Sequence, residues 1–95
     1  MKITIGPITV DAKGLPRIDQ IAVYPTSQEV IAYLASTKLR DIERWAKRLG
    51  VQIKDSDPVS EHWRHVTATV NKGGYLLQVD ALVYTDNPQP FGGAS

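Results

Sequence analysis

The sequence contains no cysteine, so the chain has no disulfide, no thiolate nucleophile and no cysteine-ligated zinc or iron–sulfur centre. It also lacks any apolar run near the ~20 residues that a membrane-spanning helix needs, and its first residues lack the apolar core of a signal peptide. We therefore expect a cytoplasmic protein without a membrane partner.

Neither sign of charge dominates, because eleven Lys and Arg residues nearly balance ten Asp and Glu residues. The overall field gives no strong attraction to nucleic acid or to an anionic membrane, so such binding would need a local patch.

A glycine-rich phosphate loop is missing as well, since Gly73 and Gly74 fall in a hairpin turn. The sequence thus predicts no cofactor and no small-molecule substrate.

What the sequence has is a globular balance of 42% apolar and 22% charged residues over 95 positions. This length suits one hydrophobic core, so we predict a single domain over residues 1–85. From residue 86 onward proline, glycine and polar residues dominate, which predicts a flexible C-terminal tail over residues 86–95.

The first third of the chain has strand character. Isoleucines alternate with polar residues over 3–10, and the interruption near Pro7 predicts an irregular strand at a sheet edge. A connection over Asp11–Arg17 leads to a second β-rich run, Ile18–Tyr24. A first hairpin made of these two strands is the simplest interpretation.

The middle of the chain is typical of a long amphipathic helix. Thr26 and Glu29 have the spacing of a capping box, and Gly50 is well placed to end the helix. Ser36-Thr37 is its weak point, where a kink or break is expected. Apolar residues then follow steps of three and four: Ala32, Ala35, Leu39, Ile42, Ala46 and Leu49, with Ile31, Leu34 and Trp45 beside them. We expect Leu39, Ile42, Ala46 and Leu49 to be buried against the sheet.

The last third predicts a short strand over 51–54, a loop from Asp55 and a hairpin. The hairpin joins 63–70 to 75–84 through 71–74, and pairing Val70 with Tyr75 places apolar residues together on one face. The predicted fold is α+β, with the order β-β-α-β-β-β along the chain and the helix on one face of a mostly antiparallel sheet.

The opposite face of this hairpin carries a candidate protein interface: Trp63, Leu76, Leu82 and Tyr84. Exposed together, these side chains would form an apolar patch of the kind that marks contact surfaces. The alternative is that the N-terminal hairpin, the loop 55–62 or the tail covers them.

The predicted register also sets His65 directly across from Asp80. The carboxylate could orient the imidazole as a base, but a cross-strand polar pair on a solvated face is the simpler interpretation. His62 and His65 with Glu61 suggest metal ligands weakly, because their spacing puts the two histidines on opposite faces of a strand. We predict no catalytic residue and no metal site.

The second half of the predicted helix, over 38–48, is rich in basic residues. It contains five Lys and Arg residues but only two acidic residues. Arg40, Arg44 and Lys47 share a face and could contact phosphates. Cations near a helix C-terminus also complement its dipole, which is the structural explanation.

Taken together, these features favour a non-enzymatic protein that acts through a protein–protein surface on its sheet, as a homodimer, inhibitor or accessory subunit. A nucleic-acid-binding module that uses the basic helix is the alternative. The size and lack of motifs are also compatible with a protein encoded by a phage or mobile element.

Overall fold

The computed structural model describes residues 2–58 and 62–85, so the predicted tail lies outside the described residues. The elements are β1 (Lys2–Ile5), β2 (Ile8–Asp11), β3 (Ile18–Tyr24), β4 (Glu29–Leu34), α1 (Leu39–Leu49), β5 (Ile53–Pro58), β6 (Trp63–Lys72) and β7 (Tyr75–Tyr84). Strands β3 to β7 form one sheet in the order β3-β4-β7-β6-β5, in which β4 and β7 are parallel and the other pairs antiparallel. The α+β class and the mostly antiparallel sheet are confirmed.

The five-stranded sheet has an inner and an outer face, because successive side chains of a strand point to opposite sides. Helix α1 and the β1–β2 hairpin both pack on the inner face. The buried core formed there comprises Ile5, Ile8, Val10, Ala12, Val30, Ala32, Leu34, Ile42, Trp45, Ala46, Val66, Ala68, Leu77, Val79, Ala81 and Val83. Neither α1 nor the β1–β2 hairpin covers the outer face.

The predicted long helix is wrong in its first half, where the chain forms strand β4. Burial alternates along this strand, with Val30, Ala32 and Leu34 buried and the residues between them half-buried. β4 lies between β3 and β7, and this two-sided pairing with burial of its inner side chains outweighs the helical spacing of two small alanines. The supposed capping box is the β3–β4 turn, in which the Gln28 amide donates to the Pro25 carbonyl at 3.2 Å.

Helix α1 begins only after the predicted break at Ser36-Thr37 and has 11 residues. It ends at Gly50, whose backbone is left-handed and whose amide donates to carbonyls of the last turn. Ile42, Trp45 and Ala46 are buried, whereas Leu39 is 45% exposed, so the predicted burial of Leu39 is wrong. Leu39 starts the helix, beyond the part that packs on the sheet.

The predicted hairpin between a strand over 3–10 and the strand over 18–24 is also wrong. Gly6-Pro7 is a turn that divides 3–10 into two strands. β1 pairs with β2 around it, with Ile5 opposite Ile8, as a separate two-stranded sheet. An added Cβ on Gly6 would lie 2.9 Å from Cγ2 of Val23, so glycine allows the hairpin to approach the large sheet closely. β3 then pairs with β4 instead.

The C-terminal hairpin forms as predicted but in a register shifted by two residues, with Lys72 opposite Tyr75 and Val70 opposite Leu77. Gly73 and Gly74 both have positive φ, at 61° and 81°, which fits a two-residue type I′ turn and extends both strands to the turn. A shift of two keeps every side chain on its predicted face. Strand β5 also differs from the prediction, since it continues from Ile53 to Pro58 where a loop was expected.

Polar contacts from α1 fix the connection between β2 and β3. The Trp45 indole N–H donates to the Pro16 carbonyl at 2.8 Å, and Arg48 donates to the carbonyls of Asp11 and Lys13 at 2.6 and 3.0 Å. The Lys13 amide, together with the nearby Arg48 guanidinium, holds the pKa of the Asp11 carboxyl below its usual value. The helix is therefore attached to the N-terminal hairpin as well as to the sheet.

We predict that Ile42→Ala lowers the free energy of unfolding by about 2–5 kcal/mol, because Ile42 is fully buried and its loss leaves a cavity. Leu39→Ala on the same helix should cost less than about 1 kcal/mol, since Leu39 is exposed. Urea denaturation of both variants measures the difference. Equal losses would show that the burial assigned to α1 is incorrect.

We predict that Gln28→Gly stabilises the protein by about 0.5–1 kcal/mol, because Gln28 has a φ of 54°, which is unfavourable for a residue with a Cβ. Thr26→Gly in the same turn is the control. Among described non-glycine residues only Gln28 has a positive φ, so glycine at position 26 should destabilise through the entropy of the unfolded chain. Thermal denaturation should therefore shift in opposite directions for the two variants.

Candidate functional site

The outer face of the sheet is the candidate site. The N-terminal hairpin, which was one of the expected covers, packs on the inner face, where Gly6 lies against Val23 and Val30. The other expected covers include residues 59–61 and 86–95, which lie outside the described residues. Leu82 and Tyr84 on this face are 49% and 47% exposed.

Three of the four predicted interface residues form an aromatic and apolar cluster. Trp63 lies opposite Tyr84, and their rings meet edge-on with centroids 5.2 Å apart. His62 stacks on Tyr84 with ring centroids 5.6 Å apart, and Leu82 lies two residues before Tyr84 on the same face of the sheet. We call Trp63, Leu82 and Tyr84 the outer cluster.

The fourth predicted residue, Leu76, does not belong to the outer cluster. It lies near the start of β7, opposite Asn71, whereas Leu82 lies opposite His65. Six residues of extended strand separate Leu76 from Leu82, which is roughly 20 Å. Leu76 is half-buried on the same face but at its far end.

A groove of about 500 Å³ opens beside the outer cluster. It forms where β4 ends and the chain passes the end of β7, an arrangement fixed by the Tyr84 amide, which donates to the Thr37 carbonyl at 3.0 Å. Its lining is mostly apolar or aromatic, and it falls within the usual size range of binding pockets, ~300–1,000 Å³. The lining residues are Tyr33, Leu34, Ser36, Thr37, Trp63, His65, Asp80, Ala81 and Leu82.

Tyr33 is one of five groove residues that sequence reasoning missed as part of a site, together with Leu34, Ser36, Thr37 and Ala81. It lies on β4 beside Asp80 of β7, and the prediction had placed it within the long helix. Residues 30–34 are all apolar or aromatic, and an apolar run of this length fits a helix as well as a buried strand, so the sequence pattern did not mark Tyr33 as facing outward.

His65 and Asp80 provide the polar part of the groove. His65 Nε2 lies 3.0 Å from Asp80 Oδ2, and the Gln78 amide donates to Asp80 Oδ1 at 2.7 Å. The prediction that His65 lies directly across from Asp80 is wrong. Asp80 pairs with Thr67, and His65 pairs with Leu82. His65 and Asp80 are diagonal neighbours, still within reach of long side chains. Asp80 is 5% exposed, so its contacts with His65 and Gln78 lie in a largely dry setting.

Comparisons with protein-family models, with curated proteins and with solved structures return no match to this chain. Its function must therefore be argued from the geometry of the outer face.

The Ser36 hydroxyl lines the same groove as the imidazole and carboxylate, and these three groups are the kinds used in nucleophilic catalysis. The Ser36 hydroxyl, however, donates to the Asp41 carboxylate at the start of α1 and accepts from the Lys38 amide. A nucleophile that passes its proton to His65 would need its single O–H directed at the imidazole. Ser36 in this geometry stabilises the start of the helix.

The basic residues proposed for nucleic-acid contacts lie on α1, on the opposite side of the sheet from the outer cluster. Arg44 donates to the Gly14 carbonyl and lies 3.8 Å from Asp41, so its guanidinium is engaged within the protein. Arg40 and Lys47 are exposed. Of the three predicted contacts, Arg44 thus serves to hold the β2–β3 connection.

No group of three His, Asp or Glu side chains in the described parts of the chain is arranged to hold a metal ion. His62 instead approaches the Thr85 carbonyl, with Nδ1 3.0 Å from it. None of the described helices is long and apolar enough to span a membrane.

We predict that a double-mutant cycle on His65→Ala and Asp80→Ala gives a coupling energy of about 1 kcal/mol, because the Asp80 end of the contact is buried, with 6% of its side chain exposed. The exposed pair Arg64 and Asp55 is the matched control. Raising the salt concentration should reduce the coupling of the control more than that of His65 and Asp80. Urea denaturation at low and high salt measures both, and equal salt sensitivity would contradict the shielding.

Proposed function

We propose that this chain is a non-enzymatic binding protein that captures a protein partner on the outer face of its sheet. The contact centres on the outer cluster, and the groove receives an apolar or aromatic side chain of the partner. The observation that carries the proposal is the outer cluster, in which Leu82 and Tyr84 are exposed and Trp63 is half-buried, beside an apolar groove that neither α1 nor the N-terminal hairpin covers.

The composition of the surface supports a protein as the ligand. Interface hot spots are enriched in Trp and Tyr, which give large contact area with little loss of side-chain entropy. Trp63 and Tyr84 already pack against each other, so little ordering is needed on binding. The hydrogen-bonded Asp80 and His65 add a polar contact that could select the orientation of the inserted side chain.

The dimensions of the face support the same proposal. Five strands spaced at ~4.8 Å, with a usable length of roughly 25–30 Å, give a footprint of about 500 Å² before side-chain relief is added. A standard interface takes ~800 Å² of accessible surface from each partner. The outer face is thus large enough to provide most of such an interface.

The nucleic-acid alternative receives less support. Arg44 and Arg48 donate to backbone carbonyls of the β2–β3 connection, which reduces their availability to phosphates. Substituting Arg40 and Lys47 with glutamate removes two exposed cations and leaves the contacts of Arg44 and Arg48 in place.

We predict that Leu82→Glu abolishes capture of the protein partner while the fold is retained, because Leu82 is 49% exposed and would meet the partner. Leu39→Glu is the matched control, since Leu39 is 45% exposed on the helix. Tagged wild type and both variants, each checked by circular dichroism, are used for nuclease-treated pull-down from the source cell.

Loss of a wild-type partner with Leu82→Glu but not with Leu39→Glu supports the proposed face. Retention of every partner by a folded Leu82→Glu variant would contradict it. Binding that disappears with nuclease or with the Arg40→Glu, Lys47→Glu double variant would favour the nucleic-acid alternative.

A further inference from the structure

Strand β3 forms an edge of the five-stranded sheet, and in the described parts of the chain β4 is the strand paired with it. An edge strand presents a row of N–H and C=O groups that point away from the sheet, available to another extended strand. The backbone just before β3 is bonded toward β4, since the Ala35 amide donates to the Arg17 carbonyl at 3.2 Å.

The second part of β3, residues 20–24, lacks the features that usually protect an edge from pairing. Residues 18–24 contain no proline and no Lys or Arg. The single charged residue, Asp19, lies at the register irregularity between Ile18 and Gln20, so the stretch 20–24 is regular and uncharged. This stretch can therefore accept another strand without a charge or kink that opposes it.

The same stretch exposes apolar side chains. Ile21, Val23 and Tyr24 are 44%, 40% and 47% exposed, and they account for half of the large exposed hydrophobic residues in the described structure. Ile21 and Val23 lie opposite the buried Ala32 and Val30, so they extend the inner apolar layer to the edge. The Gly6 turn lies against Val23, yet both side chains keep two fifths or more of their surface exposed.

A second cavity lies beside this edge. It has a volume of about 390 Å³ and includes Ile3, Leu15, Ile18 and Ile21 in its lining. A strand added to β3 would place its inward side chains next to this cavity, which offers apolar surface to receive them.

We propose that β3 pairs in antiparallel fashion with β3 of a second copy of this chain, which joins two five-stranded sheets into one. A second copy fits because the edge is self-complementary: it supplies an open backbone and neutral apolar side chains to both partners. Antiparallel pairing about a two-fold axis closes after two copies, and it keeps the two Asp19 carboxylates at opposite ends of the pair.

The side chains select a register centred on Ala22. Ile21 of one copy then lies opposite Val23 of the other on the inner side, and Gln20 lies opposite Tyr24 on the outer side. A centre at Ile21 would instead set Asp19 against Val23, a charge beside an apolar side chain. The pairing uses the sheet edge and leaves the outer face accessible, so it is independent of the proposed function.

The absence of cysteine gives a direct test, because one introduced cysteine is the only thiol of its chain. In the Ala22-centred register, Ala22→Cys places two thiols directly opposite each other, within the Cα separation of ~4.4–6.8 Å that a disulfide needs. Gln20→Cys and Tyr24→Cys are matched controls, since each thiol would lie roughly 13 Å from its symmetry mate.

Sedimentation equilibrium of the wild type gives the mass, and mild air oxidation followed by non-reducing electrophoresis gives the cross-links. We expect a dimer, with at least a tenfold greater yield of cross-linked dimer for Ala22→Cys than for either control. Ile21→Lys should weaken the dimer at least tenfold, whereas Leu82→Glu should leave it intact.

Amide hydrogen exchange on the wild type keeps the test decisive if Ile21→Lys fails to fold. Protection of alternate β3 amides that increases with protein concentration supports the pairing. A wild type that stays monomeric at 1 mM (roughly −4 kcal/mol of association free energy), or a dimer that Leu82→Glu dissociates, would overturn it. Equal cross-linking at all three positions would overturn the register.

Discussion

Trp45 is the largest fully buried side chain of the described core, and it contributes both apolar packing and a buried hydrogen bond. Its side chain is fully buried beneath α1, and its indole N–H donates to the Pro16 carbonyl in the connection from β2 to β3. One residue therefore joins the helix, the N-terminal hairpin and the large sheet. A buried indole needs a partner for its N–H, so the position of the connection is fixed together with the position of the helix.

This attachment has a consequence for the surface. Because the β2–β3 connection is bonded to α1, the β1–β2 hairpin lies on the same side of the sheet as the helix. Both contribute side chains to one core. The five-stranded sheet is thus covered on its inner face, and on its outer face it presents the outer cluster and the groove. Arg44 and Arg48 take part in this arrangement through backbone carbonyls, which explains basic residues that could otherwise suggest a nucleic-acid surface.

Two open features of the sheet offer different kinds of contact. The outer face offers side-chain contacts, which include the aromatic rings of Trp63 and Tyr84 and the polar pair of His65 and Asp80. These side chains give different parts of the face different shapes and polarity. The β3 edge offers mainly backbone hydrogen bonds and a short neutral apolar row. Face contacts select a partner by the shape of its side chains, whereas edge contacts select an extended strand, so both can operate on one molecule at the same time.

The sequence by itself determined the α+β class, the second half of the helix with its end at Gly50, and the faces of β6 and β7. These features follow from local patterns. Side chains alternate between the two faces of a strand, so a two-residue shift in register leaves each one on its predicted face. The register itself depended on Gly73 and Gly74 forming a tight turn. Tertiary structure alone decided that 29–34 is a strand, because a short apolar run fits helix or strand until its neighbours are known. It thereby decided that Tyr33 lines the groove and that β3 is an edge, whereas the distance between Leu76 and Leu82 follows from their spacing along one strand.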